Sequence, residues 1–194
     1  MFKNKEERIG DFLRLCEIHA PELDKETIVK QLDNIGFFTA PASTKYHGAY
    51  EGGLYDHSRT VTNRLIDLTV NNGLVWQNKY SPFVIGMFHD LCKCDQYKLV
   101  DNEQPTVTGH NVIWGSHYEY DTNTVLKGHG SKSAMLASQI LKLTEEEVLC
   151  IMYHMGAYEK TEYDWSNLDM AIKKYQNCFW VHCADMLASK VDNV

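Results

Sequence analysis

The sequence predicts an all-α, mainly helical fold with a small β-hairpin insertion around residues 97–126, and three observations carry that prediction. Outside the insertion, apolar residues recur at intervals of three and four, the period of a helix that buries one face. Within it, β-branched and aromatic residues are separated by Asn, Gly and Asp, the pattern of short strands joined by turns. A length of 194 residues with 44% hydrophobic and 23% charged suits a single well-buried domain over 1–194, and no repeat, low-complexity tract or linker divides it.

Taken in order, Ile9, Phe12, Leu13, Leu15 and Cys16, then Leu23, Ile28, Val29 and Leu32, predict two opening helices. "FFTAPASTKYHGAYEGG" breaks the periodicity with Pro41 and three glycines, and predicts a long surface loop of the kind that lines sites. From Leu54, a stripe of Leu54, Val61, Leu65 and Leu68 predicts a helix with His57 on its apolar side. Ser81 and Pro82 supply a cap and a first-turn proline for a nearly all-apolar helix over 83–91, which His89 and Asp90 end. After one or two short hairpins, "GHGSKSAMLASQILKL" returns to helix with Ser131 as its cap. Thr144 and Glu147 form a capping box for "EEEVLCIMYHM", which places His154 near a helix end. The loop "GAYEKTEYDWSNLD" then leads into one last helix, "MAIKKYQNCFWVHCADMLASKV".

Charge and cysteine usage narrow the function classes. The 26 acidic and 19 basic residues give a net −7, which argues against an extended nucleic-acid surface and for a small partner. Six cysteines without a CxxC pair, and an opening "MFKNKEERIG" without an apolar core, lead to the expectation of reduced thiols in the cytoplasm. Cys92 and Cys94 read as small apolar fillers beside a buried helix end. No apolar run approaches the roughly 20 residues needed to span a bilayer, so no membrane partner is expected.

Nine histidines are the informative surplus. His57, His89 with Asp90, His129, His154 and Asp185 each fall near an apolar face or a helix end. One such histidine is ordinarily a satisfied core residue, but a carboxylate behind an apolar helix must be paired, protonated or bound to metal. Imidazole nitrogens and carboxylate oxygens without thiolate are the mixed ligand set of open catalytic sites that take Mn, Fe, Ni or Zn. At a helix end the backbone path changes pitch, which lets adjacent His and Asp side chains converge on one ion.

The order His57, His89-Asp90, Asp185 resembles the H…HD…D signature of the HD superfamily of metal-dependent phosphohydrolases. The similarity spans roughly residues 45 to 190 and includes "EGGLYDHS", "HDLCK", "GHG", "YHMG" and "HCADML" in the family's order. The resemblance implies an HD core over 45–190, with helices in 1–40 completing the bundle. It implies that His57, His89, Asp90 and Asp185 hold one divalent ion, with magnesium a further candidate besides the transition metals. His129 and His154 match the extra histidines of two-metal members, in which Asp90 would bridge the ions. Met155 stands where many two-metal relatives have a second histidine, which leaves the second ion one ligand poorer.

The activity so implied is hydrolysis of a phosphate ester of a nucleotide or similar small molecule by a metal-activated water, with Asp90 and Lys93 as catalytic residues. Lys93 resembles the family lysine that faces the phosphate; its other reading is a lysine favoured by the helix dipole. Tyr46, His47 and Tyr50 could stack a base or simply cover a core edge, and Lys45, Arg59, Lys127 and Lys132 are candidate phosphate contacts. "GHGSKS" offers main-chain amides but lacks the P-loop spacing. His182, three residues before Asp185, has two readings, a partner that orients that carboxylate or a packed core residue. The hairpin with His117 is a flap, a cover for the bundle or a dimer contact, so a homo-oligomer stays open. Two other functions fit the same ligand order: a two-iron HD-type oxygenase of a polyol or phosphonate, and a non-catalytic nucleotide-binding HD module.

Overall fold

The computed structural model describes residues 2–46, 48–101, 106–108, 111–113, 115–156 and 162–194. Eight α-helices are present among them: α1 (Lys5–His19), α2 (Lys25–Asn34), α3 (Gly53–Asn72), α4 (Ser81–Phe88), α5 (Gly130–Ile140), α6 (Glu145–Met152), α7 (Glu162–Lys174) and α8 (Asn177–Leu187). A 3-10 turn, Leu91–Asp95, follows α4, and a π-helical turn, Ala188–Asp192, extends α8. Between the 3-10 turn and α5 lie β1 (Tyr97–Val100), β2 (Thr106–Thr108), β3 (Asn111–Ile113) and β4 (His117–Tyr120). β1 pairs antiparallel with β4 and β2 with β3, so one hairpin is nested inside the other. The fold is therefore mainly α with a small β insertion, and no described helix is long and apolar enough to cross a membrane.

α3 is the axis, with α4 and α8 packed along it, while α6 bridges α4 and α8 and α5 packs on α6 and the 3-10 turn. α1 joins this core through rings: Phe12 meets Phe38 at 5.9 Å and Phe83 at 5.7 Å, and Phe38 meets Tyr55 at 5.5 Å. Each ring is fully buried, a contribution of about 1.5–3 kcal/mol apiece. α4 is apolar on every side, and all eight of its residues are buried.

Several local predictions are corrected. The predicted surface loop after α2 is largely interior: Phe37, Phe38, Ala40, Pro41, Ala42 and Ser43 are buried. Its main chain can go inside because it bonds internally, Ala42 N to Gly48 O at 2.8 Å and Gly52 N to Thr39 O at 2.8 Å. Ser81 does not cap α4; it is the first helical residue, and its hydroxyl donates to Glu147 Oε1 at 2.8 Å. Ser131 does not cap α5 either, since that helix begins one residue earlier behind His129. The single last helix is two, with α7 starting inside the predicted loop; its buried contact centres on the small Ala171, so it leaves little apolar period to read. At the start of α8 Asn177 Nδ2 is held inward, donating to Val75 O and Glu146 Oε1, each at 2.8 Å.

The capping box of α6 forms as predicted, with Glu147 N on Thr144 Oγ1 at 3.2 Å and Thr144 N on Glu147 Oε2 at 2.7 Å. The same buried carboxylate also receives Ser81, so it ties α6 to the start of α4. Thr144→Ala is expected to cost about 1 kcal/mol, read by urea denaturation.

Candidate metal centre

His57 projects from the second turn of α3, and α4 delivers His89 at its C-terminal end. Asp90 then leaves the α-helical path, at φ −113° and ψ 21°, and opens the 3-10 turn. That change of pitch brings adjacent side chains together, with His89 Nε2 3.4 Å from Asp90 Oδ2. His57 Nε2 lies 3.6 Å from the same oxygen and 3.2 Å from Oδ1 of Asp185, which α8 contributes. The other oxygen of Asp90, Oδ1, faces His129 Nε2 at 2.7 Å and His154 Nε2 at 3.4 Å. The structure thus gathers all six residues that the sequence singled out as ligands. Asp90 stands at the middle, one oxygen toward each pair of rings.

The outer nitrogens fix the tautomers. His89 Nδ1 is 2.8 Å from Gly86 O, His154 Nδ1 is 2.7 Å from Ile151 O, and His57 Nδ1 is 2.8 Å from Val194 O. A main-chain oxygen only accepts, so each Nδ1 donates, and in the neutral His89 and His154 rings the lone pair is left on Nε2. His89 Nε2 and His154 Nε2 are buried without a hydrogen bond among the described residues. Lone pairs facing carboxylate oxygens repel, and a cation between them removes the repulsion. His57, His89 and Asp90 offer ligand atoms within 4.8 Å of one another, a buried group that could hold a metal ion. Nitrogen and oxygen donors with outer nitrogens anchored to main-chain oxygens fit a metal ion.

The charges are consistent with that use. Burial opposes ionisation of Asp90, but Lys93, His89 and His129 outweigh it and hold the carboxyl well below the usual range. Asp185 is likewise held low, with His57 overcoming burial. Burial pushes His89 down, toward the neutral ring that a ligand presents. For His154 burial acts the same way, but the nearby Asp90 carboxylate raises it. Lys93, opposed by burial, is raised by Asp90, whose Oδ2 is 2.6 Å from its Nζ.

A cavity of about 180 Å³ adjoins the cluster, lined by Asp90, Lys93, His129, Met155, Asp185, Met186, Ser189 and Lys190. His129 also borders a groove of about 400 Å³ beneath the hairpin, with Gln96, Tyr120, Thr124, Lys127 and Lys132. Ser189 and Lys190 escaped sequence reasoning because the π-helical turn, not an α-helical one, sets their direction. Tyr46 is exposed and shares a third cavity with Ser189 and Lys190. Lys132 lines the groove while its Nζ pairs with Asp95. Tyr50 and Arg59 are not brought to the cluster: Tyr50 donates to Asp56 Oδ2 at 3.0 Å, and Arg59 Nε to Asp11 Oδ2 at 2.6 Å. His47 lies outside the described residues. His182 Nδ1 is 2.9 Å from His154 O, so it holds the main chain of another candidate ligand.

Gly130 is a tight point in the scaffold. A Cβ there would stand 1.9 Å from Met152 O, so the start of α5 and the end of α6 touch through backbone. Those two ends carry His129 and His154. Gly130→Ala is expected to cost about 1–3 kcal/mol and to weaken metal binding on the Oδ1 side, read by thermal denaturation and metal stoichiometry.

No family model, curated protein or solved structure matches the chain.

Proposed function

We propose that the chain is a metal-dependent phosphohydrolase of the HD type, acting on the phosphate ester of a nucleotide or similar small molecule. The observation that carries the reading is the convergence of the fully buried His89 and His154 rings, through Nε2, on the two oxygens of Asp90. His57, His89, Asp90 and Asp185 would hold one ion, and His129 and His154 lie where a second would share Asp90. A bound divalent ion supplies a water of lowered pKa and a Lewis acid for phosphate oxygens. The remaining work falls to the chain. Lys93 faces the cavity with its ammonium pinned on Asp90, placed to meet negative charge that builds on a phosphoryl group. Lys190 adds a second cation on the cavity wall. The groove beyond His129 has room for the rest of a small ester, and its volume of about 400 Å³ favours a monomeric substrate over a polymer.

The test is metal analysis after purification without chelator, followed by a panel of nucleotides and phosphate esters with Mn, Fe, Ni, Zn and Mg. Co-purifying metal and phosphate release with at least one ion are expected. Iron-dependent dioxygen uptake with a polyol or phosphonate, without phosphate release, would replace this reading by the oxygenase. Tight nucleotide binding with no turnover under any metal would replace it by the binding module. Lys93→Ala is expected to keep its metal and lose about a hundredfold in turnover. Unchanged turnover would return Lys93 to a lysine favoured by the helix end.

A further inference from the structure

The geometry points to Cys92 as a metal ligand: its Sγ, a carboxylate oxygen of Asp90 and a ring nitrogen of His129 lie within 4.8 Å of one another. The inference rests on the metal-centre reading above and adds to it a sulfur donor on the His129 side. Ligand atoms about 2.0–2.3 Å from a tetrahedral ion stand roughly 3.3–3.8 Å apart, so movements on the order of 1 Å close the triad on one ion.

The scaffold holds the thiol in that place. Cys92 N–H donates to Ser133 Oγ at 3.1 Å, and Ser133 N–H donates to His129 O at 3.2 Å. The first bond ties the 3-10 turn to the first turn of α5, and the second fixes Ser133 within that turn behind His129. A thiol that serves as filler needs only apolar neighbours. This one is 1% exposed yet stands beside an ionised carboxylate and an imidazole. His129, at the start of α5, makes no side-chain cap, and its Nε2 is turned to Asp90 instead.

Binding would form a sulfur–metal bond, and the thiol proton would leave to solvent with no change of oxidation state. Thiolate favours zinc, cobalt, nickel or iron over magnesium, so the ligand class is a thiophilic divalent ion.

Cobalt(II) is the probe. Wild type loaded anaerobically should take a second cobalt ion per chain, show a near-ultraviolet sulfur-to-cobalt charge-transfer band, and release one proton more than Cys92→Ser. Cys92→Ser should bind one ion fewer and lose the band entirely, while Cys94→Ser keeps both. Circular dichroism checks that each variant folds, and Cys92→Ala serves if the serine variant does not. Cobalt on wild type without the band, or a band that survives loss of Cys92, overturns the ligand role and leaves the His57–His89–Asp90 reading standing. Wild type that takes up no cobalt overturns both.

Discussion

Asp90→Ala is expected to lose its metal and its turnover together, by more than the roughly 10–100-fold that removal of an outer partner of a ligand costs. Both pairs of rings lose their shared carboxylate at once, since Oδ2 faces His57 and His89 while Oδ1 faces His129 and His154. The same change strands Lys93, which is 8% exposed and has its ammonium on Asp90. An uncompensated buried charge costs about 3–5 kcal/mol, so the single variant should also melt early. Asp90→Ala combined with Lys93→Met separates the effects. The double variant removes both charges and should recover much of the stability while binding no metal. Metal content by atomic absorption and Tm by circular dichroism are the two readouts. A single variant that retains wild-type metal would overturn the centre.

Arg8→Met is expected to lower Tm by roughly 6–20 °C without removing any group from the centre, from a loss of about 3–5 kcal/mol at about 2–4 °C per kcal/mol for a chain of this size. Arg8 and Asp56 form a buried pair, side chains 4% and 7% exposed, with Nε to Oδ1 at 2.9 Å and an Nη to Oδ2 at 3.2 Å. Tyr50 adds a third bond to the carboxylate at 3.0 Å. The guanidinium also lies so close over Gly52 that a Cβ there would be 2.2 Å from its central carbon. The pair therefore clamps α1 to the start of α3, one residue before His57. Removing only the cation leaves Asp56 charged and buried, whereas Arg8→Met with Asp56→Leu should recover most of the loss. Equal melting of the single and double variants would show that the pair contributes through packing alone.

The parts of the fold that were legible in sequence are those written in local chemistry. Thr144 and Glu147 announce the start of α6 because a capping box needs only those residues at that spacing. The apolar run of α4 announces its own burial. Ser81 was misleading because a hydroxyl at a helix start can cap or can bond to another element, and the choice belongs to Glu147, 66 residues away. The loop after α2 misled for a related reason: Pro41 and the glycines break the period whether the chain lies outside or inside, and only packing against Phe12 and Tyr55 draws Phe37 and Phe38 in.

For the centre, sequence alone singled out the six residues His57, His89, Asp90, His129, His154 and Asp185, because they fall near apolar faces or helix ends and in an order that resembles the H…HD…D signature. Tertiary structure decided how they are used. It turned one oxygen of Asp90 to each pair of rings, bound the Nδ1 atoms to carbonyls so that Nε2 points inward, and brought Cys92, Ser189 and Lys190 to the edge. It withdrew Tyr50 and Arg59 to carboxylates of their own. The physical reason is reach: residue type and helix period are properties of a few neighbouring residues, whereas the direction of a lone pair depends on which distant helix supplies its partner.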